Sequence, residues 1–114
     1  MRESTPRILT GMYAFDGRGY DVPVSLGVTY SVPGDRRAQM IYFRAGSSAS
    51  EMVAVVLTRD GTPMRVFPIG AKSAVHIPLV VVEDLSPETK LELLIAAPSG
   101  AGGTLALDVG MVEI

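Results

Sequence analysis

The sequence has 114 residues, of which 47% are hydrophobic and 19% are charged, and its formal net charge is −2. This length fits one domain, and this composition excludes an intrinsically disordered chain. The weak negative charge argues against a nucleic-acid partner, because phosphate binding needs concentrated positive charge, and the absence of cysteine excludes disulfides, thiolate catalysis and Cys-ligated metals.

The N-terminal end predicts a short tail, residues 1–6, ahead of a single domain over 7–114. Residues 1–17 contain no apolar h-region of a signal peptide. Every apolar run is far shorter than the roughly 20 residues that a membrane-spanning helix needs. We therefore expect a cytoplasmic protein with no membrane insertion.

Eight strands are predicted between closely spaced glycines and prolines. The pattern is clearest in the second strand, where apolar residues alternate strictly with others from Tyr20 to Tyr30. Pro23 in this strand cannot donate a ladder hydrogen bond, which predicts an edge strand or a bulge. The predicted strands cover residues 7–15, 20–32, 38–45, 51–59, 64–69, 73–82, 91–97 and 104–114.

Two connections have specific turn signals. Asp60-Gly61 predicts a tight hairpin between the fourth and fifth strands, because this dipeptide accepts positive φ angles. Ser86, Pro87 and Glu88 predict one short helical turn near 86–90, since they suit an N-cap and the first helical positions. The sequence thus predicts an all-β fold, a single antiparallel β-sandwich of about eight short strands, either immunoglobulin-like or jelly-roll.

No motif in the sequence predicts a catalytic, cofactor-binding or metal-ligating residue. His76 is the only histidine and the chain has no cysteine, so a zinc or copper site lacks ligands. The Gly-rich stretch 98–103 lacks the Lys-Ser/Thr ending of a phosphate loop. The acidic corner at 83–88 is interpreted as solvated rather than as a calcium site, because it lacks the spacing of a calcium loop.

Several predicted strands carry apolar side chains on both faces, although a sandwich strand buries only one. This pattern indicates either simple strand propensity or an apolar sheet face covered by a partner protein, a second copy or a larger subunit. We favour the partner. The main prediction is a non-enzymatic structural or accessory subunit with interface residues Val53, Val55, Leu57, His76, Val80 and Val82.

The alternative prediction is a β-sandwich module that binds a small ligand or a carbohydrate. Tyr30, Tyr42, Arg44 and His76 would then line a cleft or a sheet face. The chain has no tryptophan for stacking on sugar rings. An enzyme that uses His76 for acid–base chemistry ranks third.

Overall fold

The computed structural model describes residues 3–114, which form two antiparallel sheets of four strands each and no helix. Nowhere in this range is there a helix of the length and apolarity needed to cross a membrane. The strands are β1 (Thr5–Asp16), β2 (Gly19–Ser31), β3 (Ala38–Ser47), β4 (Val53–Arg59), β5 (Thr62–Ile69), β6 (Ala74–Pro78), β7 (Lys90–Ala97) and β8 (Gly102–Glu113).

The two sheets have the connectivity of a jelly roll. Sheet I has the order β1-β8-β3-β6 and sheet II the order β2-β7-β4-β5. Four of the strand pairs are those of one long hairpin that turns between β4 and β5, namely β1·β8, β2·β7, β3·β6 and β4·β5. The remaining pairs, β8·β3 and β7·β4, form when this hairpin rolls up into two sheets. The predicted β-sandwich is confirmed, and this connectivity selects the jelly roll over the immunoglobulin-like arrangement.

β1 begins two residues before the predicted first strand. Thr5 and Pro6 belong to β1, because they pair with Glu113 and Val112 of β8. Residues 1 and 2 of the predicted tail lie outside the described residues.

The core lies between the sheets, where Phe43 of sheet I stacks on Phe67 of sheet II with ring centroids 4.1 Å apart. Val53, Val55 and Leu57 are part of this core, with exposures of 0%, 0% and 1%. Their assignment to a partner interface is therefore corrected. Because β4 is apolar on both parities, its sequence pattern did not show which face turns inward.

The predicted sixth strand ends early. β6 stops at Pro78, and the following residues form a loop in which Val80 is 96% exposed and Val82 is 37% exposed. Val75 and Ile77 face the core while His76 faces outward. The apolar run that suggested a strand with two buried faces is therefore a short strand followed by an exposed loop.

The two turn predictions had different outcomes. The tight hairpin is confirmed, with Asp60 at φ 50° and Gly61 at φ 85°. The helical turn near 86–90 is wrong. Ser86 to Thr89 form a β-turn in which the Thr89 amide donates to the Ser86 carbonyl over 3.2 Å, and Glu88 has φ 69°. Positive φ at the third position, after proline, is the type II geometry, which cannot continue into a right-handed helix.

Prolines occur in every edge strand and in none of the central strands. Within the described strands they lie in β1, β2, β5 and β6, at Pro6, Pro23, Pro63, Pro68 and Pro78. The prediction for Pro23 is confirmed, because β2 is an edge strand whose register shifts between Gly19 and Val24. Proline lacks an amide hydrogen and is therefore tolerated where that position faces solvent.

Candidate functional site

The outer face of sheet I carries an open groove across its four strands. It consists of two adjoining depressions of about 570 and 460 Å³, which share Met12, Gly46 and Ala106 as lining residues. Three small residues that lie side by side on the outer face, Gly46 of β3, Ala74 of β6 and Ala106 of β8, form its floor. We call this surface the outer groove.

A β-bulge turns Tyr42 toward the outer face at the end of this groove. The register of β3 against β8 shifts between Met40 and Tyr42, with Ile41 as the extra residue. Without the bulge, Tyr42 would share the inward parity of Met40. With it, Phe43 enters the core and Tyr42 points outward.

The Tyr42 ring lies flat on the backbone of β8. A Cβ at position 110 would clash with the ring carbons, so only glycine leaves room for the ring there. The phenol donates to Asp108 Oδ1 over 3.1 Å. Desolvation, and then this hydrogen bond, raise the pKa of Tyr42 above its usual value. Gly110 and Asp108 together fix the ring as a platform parallel to the sheet.

Charged and polar side chains stand beside the platform. Arg44 Nη1 lies 3.7 Å from Asp108 Oδ2. His76 is the direct cross-strand partner of Arg44, and its ring meets Tyr42 edge-on, with centroids 6.1 Å apart and an interplanar angle of 88°. An aromatic surface, a guanidinium, a carboxylate and an imidazole therefore converge on one side of the sheet.

The fold brings together three of the four residues of the predicted ligand site. Tyr42, Arg44 and His76 are neighbours on sheet I, whereas Tyr30 lies on the inner side of sheet II and does not contribute. Asp108 and Gly110 also belong to this site but were not predicted from the sequence. Their only signal is the parity that they share with Ala106 in β8, which does not show which face turns outward.

Tyr30 belongs to a separate polar cluster that links the two sheets. It donates to the carboxylate of Glu113, which is 3% exposed and lies 3.2 Å from Arg7 Nε. The Tyr30 hydrogen bond and the Arg7 charge hold the pKa of Glu113 below its usual value, against the opposing effect of burial. Burial, and then the Glu113 contact, raise the pKa of Tyr30.

The acidic corner forms ion pairs with arginines from other parts of the fold. Glu83 Oε1 lies 2.7 Å from Arg65 Nε, and Asp84 Oδ2 lies 3.3 Å from Arg37 Nη2. Across residues 3–114 no group of three or more His, Cys, Asp or Glu side chains is arranged to hold a metal ion. Glu83 and Asp84 are therefore each paired with a different arginine rather than converging on one point.

No family model matches this sequence, and no curated protein does. Solved structures share its architecture. The CBM36-1 domain of a multidomain xylanase from the hindgut metagenome of Trinervitermes trinervoides is 15% identical, with 95% of this chain and 96% of that chain covered and a TM-score of 0.60. A carbohydrate-binding module CBM36 in complex with calcium and xylotriose is 17% identical, with coverages of 96% and 98% and a TM-score of 0.58.

A viral protein is also similar. The structure of the infectious bursal disease virus Gx strain is 11% identical, covers 99% of this chain and 33% of the viral chain, and has a TM-score of 0.57. These identities are low and the proteins differ in role, so the likeness speaks for architecture. The chain has the jelly-roll β-sandwich fold that carbohydrate-binding modules also have.

Proposed function

We propose that this domain is a non-catalytic carbohydrate-binding module whose ligand lies in the outer groove. The observation that carries the proposal is the Tyr42 ring held flat over Gly110 beside Arg44 and Asp108. A sugar ring has an apolar face of C–H groups and a rim of hydroxyls. A flat aromatic ring suits the first, and fixed polar groups suit the second.

The size and polarity of the outer groove support this proposal. Each of its depressions, at about 570 and 460 Å³, falls within the range of roughly 300–1,000 Å³ that is typical of small-molecule sites. Arginine carries five N–H donors, and the pair with Asp108 involves Nη1, so the guanidinium keeps donors for ligand hydroxyls. The fold shared with carbohydrate-binding modules adds support.

Association through an apolar sheet face, the main prediction from the sequence, remains a prediction. Of its six residues, three are in the core. His76, Val80 and Val82 belong to β6 and the loop that follows it, so they do not make up a sheet face. For this reason the ligand-binding alternative is the better supported of the two.

The test is binding of a panel of oligosaccharides and polysaccharides by calorimetry and affinity electrophoresis. We expect Tyr42→Ala to weaken binding at least tenfold, which corresponds to about 1.4 kcal/mol. Tyr20→Ala is the matched control, because Tyr20 is 48% exposed on β2 of sheet II, and it should bind like the parent protein. Absence of binding to every glycan, or full binding by Tyr42→Ala, overturns the proposal.

A second variant displaces the platform without removing the tyrosine. Gly110→Ala puts a methyl group where the Tyr42 ring lies, so the ring must move off the sheet. We expect a loss of glycan affinity close to that of Tyr42→Ala, with an unchanged far-UV circular dichroism spectrum. Parent-like affinity in a folded Gly110→Ala protein contradicts the role of the flat ring.

A further inference from the structure

We infer that the outer groove selects an acidic glycan, one whose sugars carry carboxylate groups, over a neutral one. This inference rests on the proposed function and concerns the chemical class of its ligand. It follows from the charges along the groove, from the contacts that already occupy Asp108, and from the placement of two cations in different depressions.

The charge of the outer groove is opposite in sign to that of the chain. The chain has 12 acidic and 10 basic residues. Among residues 3–114, the ionised side chains that line the two depressions are Arg44, Lys72 and Asp108, which give two positive charges against one negative. His76 adds an imidazole beside Arg44. A groove of net positive charge on a net negative domain favours an anionic ligand.

Asp108, the one carboxylate that the described part of the chain contributes to the groove, is already engaged within the protein. Asp108 accepts the Tyr42 hydroxyl over 3.1 Å and pairs with Arg44 over 3.7 Å. The second of these distances is long for a charge-assisted hydrogen bond, which is typically about 2.7–2.9 Å. Arg44 is therefore positioned by Asp108 but not saturated by it, and a ligand carboxylate can form the shorter, bidentate contact that guanidinium groups favour.

The two cations lie in different depressions. Arg44 lines the larger one, together with His76 and Asp108, and Lys72 lines the smaller one, next to Ser48 and Ser73. The Lys72 amide donates to the Ala49 carbonyl over 2.8 Å, which anchors its turn. A ligand that spans both depressions meets one cation in each, so a chain with carboxylates on more than one sugar fits better than a single charged sugar.

The experiment compares acidic polysaccharides with the same polymers after chemical reduction of their carboxyl groups. Polygalacturonate, alginate and glucuronoxylan serve as probes, each beside its carboxyl-reduced form, in calorimetry and affinity electrophoresis at low and high NaCl. We expect at least one acidic form to bind tenfold or more tightly than its reduced form. The difference should shrink at high salt, because exposed charges are then screened.

Amino-acid substitutions test which residues cause the preference for acidic glycans. Arg44→Gln and Lys72→Gln should each reduce the ratio of acidic to reduced affinity several-fold, and the double variant should abolish it. Lys90→Gln is the matched control, since Lys90 is exposed at the start of β7 in the other sheet, and it should keep the ratio. A preference that survives the double variant overturns the inference.

The failures of the two proposals are distinguishable. Equal affinity for acidic and reduced forms, or binding of reduced forms alone, overturns the acidic-glycan inference while the proposed function stands. Absence of binding to any of the six polymers and to the neutral panel overturns both.

Discussion

Glu113 is a buried carboxylate that holds the ends of the two sheets together. Its partner Tyr30 comes from β2 of sheet II, and Arg7 comes from β1 beside it in sheet I. A buried charge without partners is costly, and these contacts compensate it. The cluster is therefore structural, and its loss should lower the stability of the sandwich rather than its affinity for a ligand.

Tyr30→Phe should lower the free energy of unfolding by about 2 kcal/mol at pH 7, since it removes a hydrogen bond to a charged group. The folded-state pKa of Glu113 is lowered, so its contribution to stability is present above the unfolded pKa of about 4.5 and is lost as pH falls through the folded value. The variant removes the largest cause of that lowering. The difference in free energy of unfolding between the parent protein and Tyr30→Phe should therefore shrink as pH falls below about 4.5.

Urea unfolding of the parent protein and of Tyr30→Phe, from pH 7 to pH 3, measures this difference in free energy. Tyr20→Phe is the control, because the Tyr20 hydroxyl donates to a backbone carbonyl, that of Met52, and its effect should not follow the titration of a carboxylate. A Tyr30→Phe effect of the same size at every pH would contradict the assigned coupling to Glu113.

Sequence patterns predict which types of side chain form the site better than they predict which residues come together in the fold. Tyr42, Arg44 and His76 were identified as ligand residues because they are polar or aromatic within strands. Tyr30 has the same local pattern, yet its parity in β2 directs it into the Glu113 cluster. The role of Gly110 was not predictable from the sequence, because this glycine leaves space for the ring of Tyr42, which is far away along the chain.

Two elements show how tertiary contacts override local pattern. By alternation alone, Tyr42 would share the buried face of Met40. The bulge at Ile41 exchanges the inward and outward positions of β3 for the residues that follow it, so Tyr42 points outward. No residue type in this strand marks a bulge. In the connection between β6 and β7, Pro87 starts a type II turn instead of a helix, since the Glu88 amide donates to the Val32 carbonyl across the sandwich edge over 2.9 Å.

The type II turn before β7 offers a test at the element scale. Glu88 has φ 69°, a conformation that strains a side-chain-bearing residue by about 1 kcal/mol and that glycine adopts as readily as a negative φ. We expect Glu88→Gly to raise the free energy of unfolding by about 1 kcal/mol in urea titrations. Glu51→Gly, at an exposed loop position without positive φ, should give no gain, and a gain of the same size there would refute the turn argument.

The whole molecule is a rolled hairpin whose first and last strands lie side by side. The number of eight strands is predicted correctly, and the bounds lie close to those expected from the alternation and turn signals except in β6, which ends at Pro78. The roll itself was not predictable, because the pairing of β8 with β3 and of β7 with β4 depends on both sheets burying their inner faces together. In β4, apolar residues occupy both alternating sets of positions, so the sequence does not show which face of this strand is the inner one.

This arrangement predicts that a circular permutant will fold. Thr5 pairs with Glu113, so a short glycine-rich linker can join Ile114 to Thr5, with new termini between Asp60 and Gly61 in an exposed turn. We expect native circular dichroism and a loss of about 1–2 kcal/mol in unfolding free energy. The comparison is a permutant opened between Leu107 and Asp108 in central β8, which should not fold. Equal folding of both permutants would contradict the central role of β8.

The prolines of the edge strands limit how copies of this domain can meet. The Leu79 amide donates inward to Ile41, so position 78 turns its backbone nitrogen toward the open side of sheet I, and proline has no hydrogen to offer there. Proline also occurs in the other edge strands, β1, β2 and β5. A strand of another molecule that pairs with the open side of β6 lacks a ladder hydrogen bond at Pro78, which weakens edge-to-edge association next to the exposed valines after β6.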